Sequence, residues 1–203
     1  LKVRICVRGD LQKLSTEEKY SATLAARTAR AVLALVAAFD LDTHQFDAVN
    51  AFLNSTLDET VITEMPEGFR QSGYYWKLLR ALYGLRKSPR LWQREATKVL
   101  TKLGLTVVQE DLCLFASDGI IVFFYVDDII IVNHPSQRRR AAEIKEKLNI
   151  TWELRDMGEA AWFLGIRIVR DRKQMALWLC QDSYISSYGK QISPYHPSSL
   201  CYT

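Results

Sequence analysis

Residues 121–132 read Ile121-Val122-Phe123-Phe124-Tyr125-Val126-Asp127-Asp128-Ile129-Ile130-Ile131-Val132. Two adjacent acids stand inside a run of β-branched and aromatic residues, the composition of a buried strand rather than of a helix or a loop. Ionised carboxylates at a rim between hydrophobic strands repel each other and lose hydration. One is therefore expected to protonate unless a cation sits between them. Magnesium, a hard ion that takes oxygen ligands and keeps positions for water and phosphate, suits such a pair. An Asp-Asp step taken alone reads equally well as a solvated type I′ hairpin turn.

Working outward, residues 112–132 are β-rich and break at Ser117-Asp118-Gly119 and again at Asp127-Asp128, which predicts two hairpins or a three-stranded meander. Downstream, Gln137 to Leu148 has the charge and spacing of an amphipathic helix. Trp162 to Val169 and Met175 to Cys180 suggest a hairpin around Asp171-Arg172-Lys173. Upstream, Ser88 as N-cap, Pro89 at the first helical position and Gly104 past the end bracket a helix. Its Trp92, Ala96, Val99, Leu100 and Leu103 share a face, with Arg90, Arg94 and Lys98 opposite. His44 to Val49 reads as a short strand, and Ala25 to Phe39 as a helix buried almost all round. Leu1 to Gly9 alternates Val3, Ile5 and Val7 with Lys2, Arg4 and Arg8, a strand with one cationic face. Pro66, Gly68 and Gly73 mark turns, and residues 189–203, rich in Pro and Ser, are expected to be poorly ordered. This order predicts an α+β fold with an antiparallel sheet covered by helices.

Composition narrows the function classes. The 203 residues are 48% hydrophobic and 25% charged, ordinary for a globular chain, and the net charge of +4 permits a polyanionic partner without requiring one. Cys6, Cys113, Cys180 and Cys201 form no CxxC pair and lie apart from His44, His134 and His196, so neither a zinc site nor a disulfide framework is predicted. The opening Leu1-Lys2 has no secretory leader, and the apolar run of residues 120–132 is interrupted by two acids, so an intracellular setting with no membrane span is expected. The triplet Arg138-Arg139-Arg140 could bind phosphates, but cations opening a helix oppose its dipole, and it reads as a solvated face.

A further acid, Asp47, lies in Gln45-Phe46-Asp47-Ala48-Val49-Asn50-Ala51-Phe52-Leu53, at a strand end before a helix-like turn. Carboxylates from separate strands that converge can hold two metal ions about 4 Å apart, as phosphoryl transfer to a hydroxyl requires. Asp47 by itself reads also as a helix cap or a surface acid.

The segments Gln45 to Asn54, Met65-Pro66-Glu67-Gly68-Phe69, Ala81-Leu82-Tyr83-Gly84-Leu85-Arg86-Lys87-Ser88-Pro89-Arg90-Leu91-Trp92, Tyr125-Val126-Asp127-Asp128 and Met157 to Gly165 resemble, in the same order, the blocks of copia-type LTR retrotransposon reverse transcriptases. The resemblance implies a right-hand polymerase palm with partial fingers over residues 1–188 and a thumb largely absent. It implies two Mg2+ ions, with Mn2+ as substitute, an RNA or DNA template with primer, and dNTPs as substrates. Such a domain would work in the cytoplasm, within virus-like particles, or in the nucleus.

On the same basis, Asp47, Asp127 and Asp128 are the metal-binding catalytic acids. Asp128 is expected on the opposite face of the pleat and so to contribute less directly. The Ala48 carbonyl is a further ligand, and Phe52 the aromatic gate that excludes a 2′-hydroxyl. Arg4 and Arg8 would clamp the triphosphate. Tyr83 and Gly84 would lie against the nucleotide, Arg86 and Lys87 near the template backbone, and Trp162, Phe163, Leu164 and Gly165 at the primer 3′ end. Phe52 and Phe163 read equally as core, and Arg4 and Arg8 as a solvated strand face. Asn54-Ser55 stands where the family has a Gly-containing turn, a change Asn tolerates because it adopts positive φ. Two other outcomes fit the same residues: an inactive remnant that only binds nucleic acid or protein, and a nucleotidyl transferase that uses no template.

Overall fold

A computed structural model describes residues 5–12, 21–182 and 184–187. Its helices are α1 (Ala26–Ala38), α2 (Ser88–Lys102) and α3 (Arg138–Thr151). The strands in the first part of the chain are β1 (Asp42–Ala48), β2 (Thr56–Thr63), β3 (Trp76–Arg80), β4 (Thr106–Val108), β5 (Asp111–Ser117) and β6 (Ile120–Tyr125). Those in the second are β7 (Asp128–Asn133), β8 (Leu154–Gly158), β9 (Trp162–Phe163), β10 (Ile166–Asp171) and β11 (Ala176–Cys180). They form a six-stranded sheet in the order β4-β5-β6-β7-β1-β8, a three-stranded sheet β11-β10-β9 and a ribbon β2-β3. Every pairing is antiparallel, as expected.

Strands β5, β6 and β7 are the anticipated meander, and β1, remote in sequence, inserts between β7 and β8. The register sets the faces, because residues directly opposite in an antiparallel pair project to the same side. Phe46 pairs with Ile129 and His44 with Ile131, and this side receives the helices. Lys145 of α3 lies 5.1 Å from the Phe46 ring centroid, and Trp92 of α2 packs on Trp152 at 4.9 Å. On the other side, Phe123 meets Phe163 of β9 edge-on at 5.4 Å, and the Ala160 amide donates to the Thr43 hydroxyl. Phe46, Phe115 and Phe123 are wholly buried, each contributing about 1.5–3 kcal/mol. Helix α1 lies against the small sheet, with Ala29 and Leu33 facing Phe163, Ile168 and Leu179.

Several expectations need correction. Helix α1 buries only Ala29, Val32, Leu33 and Val36, a single stripe, while Leu35 is exposed. Its many alanines and leucines raise helix propensity without requiring a partner on every side. Among the described residues, 5–8 form no strand: the Gly9 amide turns back to the Val7 carbonyl and the chain runs into a short 3-10 turn, Gly9–Leu11. Trp162 to Val169 is divided by Leu164 and Gly165, both at positive φ (52° and 76°), so a turn separates β9 from β10. Ser88 is the first residue of α2, and its hydroxyl donates to the Leu82 carbonyl at 2.7 Å instead of capping. The positive φ near residue 54 belongs to Asn50 (51°), and Asn54 instead donates its amide to the Ala51 carbonyl. The Pro- and Ser-rich tail lies outside the described residues.

Candidate active site

Asp47 is the penultimate residue of β1, and Asp128 opens β7 directly opposite it. The Ala48 amide donates to the Asp127 carbonyl at 2.8 Å, fastening the β6–β7 turn to the end of β1. Asp47 and Asp128 therefore share one face of the sheet, the one opposite Phe46 and the helices, and Asp128 does not point away from Asp47 as expected. The reason is register: with β1 beside β7, a facing pair forms at these two positions whatever the alternation within β7.

The turn residues are Val126 and Asp127, not Asp127 and Asp128, since Tyr125 pairs with Asp128. Val126 adopts φ 54°, and Asp127 is not among the positive-φ residues, a pattern of type II′ rather than I′. A β-branched residue there is strained. The Trp92 indole offsets this by donating to the Val126 carbonyl at 2.7 Å from the helical side.

Each acid has its own surroundings. Burial pushes the Asp128 carboxyl above its ordinary pKa; the Gln45 amide, 3.3 Å away, opposes that, and the charges of Asp47 and Asp127 add to it. Asp127 accepts from the Tyr83 hydroxyl at 3.0 Å, and the Tyr83 ring packs on Phe52 at 4.6 Å. Asp47 faces Arg155 of β8, its ladder partner, at 3.7 Å. Among the described residues no three His, Cys, Asp or Glu side chains are gathered closely enough to hold a metal ion as they stand.

The remaining anticipated residues divide into two groups. Ala48 follows Asp47 and bonds the Asp127 carbonyl, whereas Phe52 is buried and reaches Asp127 only through the Tyr83 ring. The Val7 amide donates to the Tyr83 carbonyl at 2.8 Å, which brings Arg8 and Gly9 to Tyr83 and Gly84. Glycine is required on both sides of this contact: a Cβ at Gly84 would meet the Val7 carbonyl oxygen at 2.0 Å, and one at Gly9 the Gly84 oxygen at 1.8 Å. Arg8 itself pairs with Asp10 at 2.7 Å on the exposed surface, and Arg4 lies outside the described residues.

Arg86 spends its guanidinium on the Gly9 and Asp10 carbonyls (2.6 and 3.1 Å), and Lys87 meets Glu59 at 3.2 Å and Asp58 at 3.9 Å. Phe163 is buried in the core, whereas Leu164 at the adjoining turn is exposed. A cleft of about 390 Å3 opens elsewhere, between α3 and the helical face of β1, lined by His44, Phe46, Arg138 and Lys145.

Gln45, Trp92 and Arg155 stand beside the acids without having been assigned to the site from sequence, and Tyr83, assigned to the nucleotide, also bonds Asp127. Gln45 was within reach, since two residues before Asp47 on a strand means the same face. The bond from Tyr83 to Asp127, the indole of Trp92 under the turn, and Arg155 all depend on how remote segments dock, for which no local signal exists.

A profile of the reverse transcriptase (RNA-dependent DNA polymerase) family matches residues 1–193. The chain is 33% identical over 194 residues to the retrovirus-related Pol polyprotein from transposon TNT 1-94 of Nicotiana tabacum, covering 91% of this chain and 14% of that protein. It is 31% identical over 194 residues to that from transposon RE1 of Arabidopsis thaliana, covering 91% and 13%. Against the transposon Ty1-BL Gag-Pol polyprotein of Saccharomyces cerevisiae it is 23% identical over 162 residues, covering 78% and 9%. The chain belongs to the reverse transcriptase family, in the copia-type group of transposon Pol polyproteins. It spans about one seventh of the tobacco polyprotein's length. Among the described residues no helix is long and apolar enough to cross a membrane.

Proposed function

We propose that this chain is the fingers-and-palm part of an RNA- and DNA-templated DNA polymerase, spanning residues 1–188, that extends a primer 3′-hydroxyl with dNTPs. The observation that carries this reading is the meeting of Asp47 with Asp127 and Asp128, about eighty residues apart in the chain, at one end of the central sheet. Asp47 and Asp128 stand on the face opposite the one that carries Phe46, and α2 and α3 support the sheet from that helical side. In this reading the six-stranded sheet is the palm, and residues 5–12 with the β2-β3 ribbon belong to the fingers.

The donor set fits a divalent cation in chemistry: three carboxylates and backbone carbonyls are hard oxygen ligands. Charge is consistent with the fit: burial first, then the charges of Asp47 and Asp127, raise the Asp128 carboxyl, and a bound cation would offset both. Asp47, Asp127 and Asp128, with the Ala48 carbonyl, would hold Mg2+ or Mn2+. Such ions, when bound, supply Lewis-acid activation of the primer hydroxyl and neutralise charge on the triphosphate.

The protein's own groups would do the positioning. Tyr83 orients the Asp127 carboxyl through its hydroxyl and presents its ring, with Phe52, as the floor of a nucleotide site. A 2′-hydroxyl on the sugar would collide with Phe52. Arg8, held near Tyr83 and Gly84, would exchange Asp10 for the triphosphate, a stronger bidentate partner. Arg86 acts at one remove by fastening the Gly9 turn, and Leu164 and Gly165 would meet the primer end.

The decisive assay is primer extension with Mg2+ and dNTPs on an RNA template, comparing the natural chain with Asp127→Asn. Incorporation by the natural chain and its loss in Asp127→Asn, with both circular dichroism spectra alike, are expected. Equal incorporation by both would end the assignment of Asp127, and tight duplex binding without any incorporation would leave a binding module.

A further inference from the structure

Asp47 faces Arg155 directly across the β1–β8 ladder, with Nη1 3.7 Å from the Asp47 carboxylate. The separation exceeds a hydrogen bond, so this is a loose ion pair on the same sheet face as Asp128. Arg155 lies on β8, the edge strand of the sheet, and its side chain is 62% exposed, so its guanidinium can swing toward solvent at small cost. Asp47 and Asp128 face each other at this corner with Asp127 at the adjoining turn, and a guanidinium beside Asp47 offsets part of the negative charge there.

We infer that Arg155 is a built-in counter-cation that competes with the divalent ion for Asp47 and must swing away before the acid cluster can be loaded. The inference rests on the metal-site reading given above. Its consequence is order: the cluster alone holds ions weakly, and a polyanion that draws Arg155 outward raises the affinity. The triphosphate or the duplex backbone would do this, because guanidinium prefers a bidentate phosphate to a 3.7 Å carboxylate. Ion loading is thereby coupled to the arrival of substrate.

The expected size follows from charge. A divalent ion and a guanidinium roughly 6 Å apart at near-aqueous dielectric repel by about 1.4 kcal/mol, tenfold in affinity, and the mobility of an exposed side chain reduces this to about three- to fivefold.

The test measures Mn2+ binding by electron paramagnetic resonance, without nucleic acid or nucleotide, in the natural chain, Arg155→Gln, Arg155→Lys and Asp127→Asn. Arg155→Gln is expected to bind Mn2+ about three- to fivefold more tightly, and Arg155→Lys to resemble the natural chain because the charge is retained. A thermal melt in EDTA provides a second readout: Arg155→Gln should melt lower without metal and gain more from Mn2+ than the natural chain does. Equal affinity in the natural chain and Arg155→Gln, with binding lost in Asp127→Asn, would overturn the role of Arg155 and leave the metal site standing. Absence of Asp127-dependent binding in every form would overturn the metal site, and this inference with it.

Discussion

Replacing Gly84 by Ala should undock residues 5–12 from Tyr83 and Gly84 while leaving the sheet folded. Gly84 sits at φ 92°, where a side chain costs about 1–2 kcal/mol, and its Cβ would fall 2.0 Å from the Val7 carbonyl oxygen. Ordinary contact lies more than an ångström further out, and the obstacle is backbone that cannot rotate away. The segment must move, and the Val7 to Tyr83 hydrogen bond, worth about 1 kcal/mol, is lost with it. The sum is roughly 3 kcal/mol, about a hundredfold in the docking equilibrium. Native-state hydrogen exchange reads this directly: the Val7 amide should exchange about a hundredfold faster, and amides of β6 and β7 should keep their rates. In the polymerase assay KM for dNTP should rise more than kcat falls, because Arg8 is no longer held near Tyr83. An unchanged exchange rate at Val7 would refute the packing argument, and a collapse of protection in β6 and β7 would refute its local character.

Phe52→Val should admit ribonucleotides, raising kcat/KM for rNTP relative to dNTP by at least tenfold; unchanged sugar selectivity would remove Phe52 from the nucleotide floor. Trp92→Phe deletes the donor that holds the Val126 carbonyl and should cost about 1–2 kcal/mol in urea unfolding, with a loss of incorporation beyond what stability explains. Equal incorporation at full folding would show that the turn needs no support from α2. The Arg138 guanidinium, bonded to Asp42 at 2.7 Å, holds that carboxyl below its ordinary pKa of 3.8. A depressed carboxylate contributes stability above its unfolded pKa and loses it as pH falls through the lower folded value. Stability should therefore decline below pH 3.8 in the natural chain and decline less in Arg138→Gln, and identical acid unfolding curves would discount the pair.

The residues around the acids announced themselves in sequence because their chemistry conflicts with their setting. Asp127 and Asp128 stand in a run that otherwise buries itself, and Ser88-Pro89 with Gly104 punctuate a helix by fixing φ or freeing it. Ile120–Tyr125 and Asp128–Asn133 followed for the same reason, since β-branched and aromatic residues state a strand locally. The β2-β3 ribbon and β8 went unseen, because their burial is slight and their patterns carry little alternation.

What sequence alone determined was the class of fold, the helix after Ser88 and the meander with two acids at its turn, all properties of residue type and short-range spacing. Tertiary structure decided which carboxylates face each other. With β1 slotted between β7 and β8, Asp47 meets Asp128 on one side and Arg155 on the other, and Asp127 is left at a strained turn held by Trp92 and Tyr83. Pairing register between strands some eighty residues apart goes with the burial of Phe46 against the helices, and a slip of β1 by one residue would turn Asp47 away from Asp128.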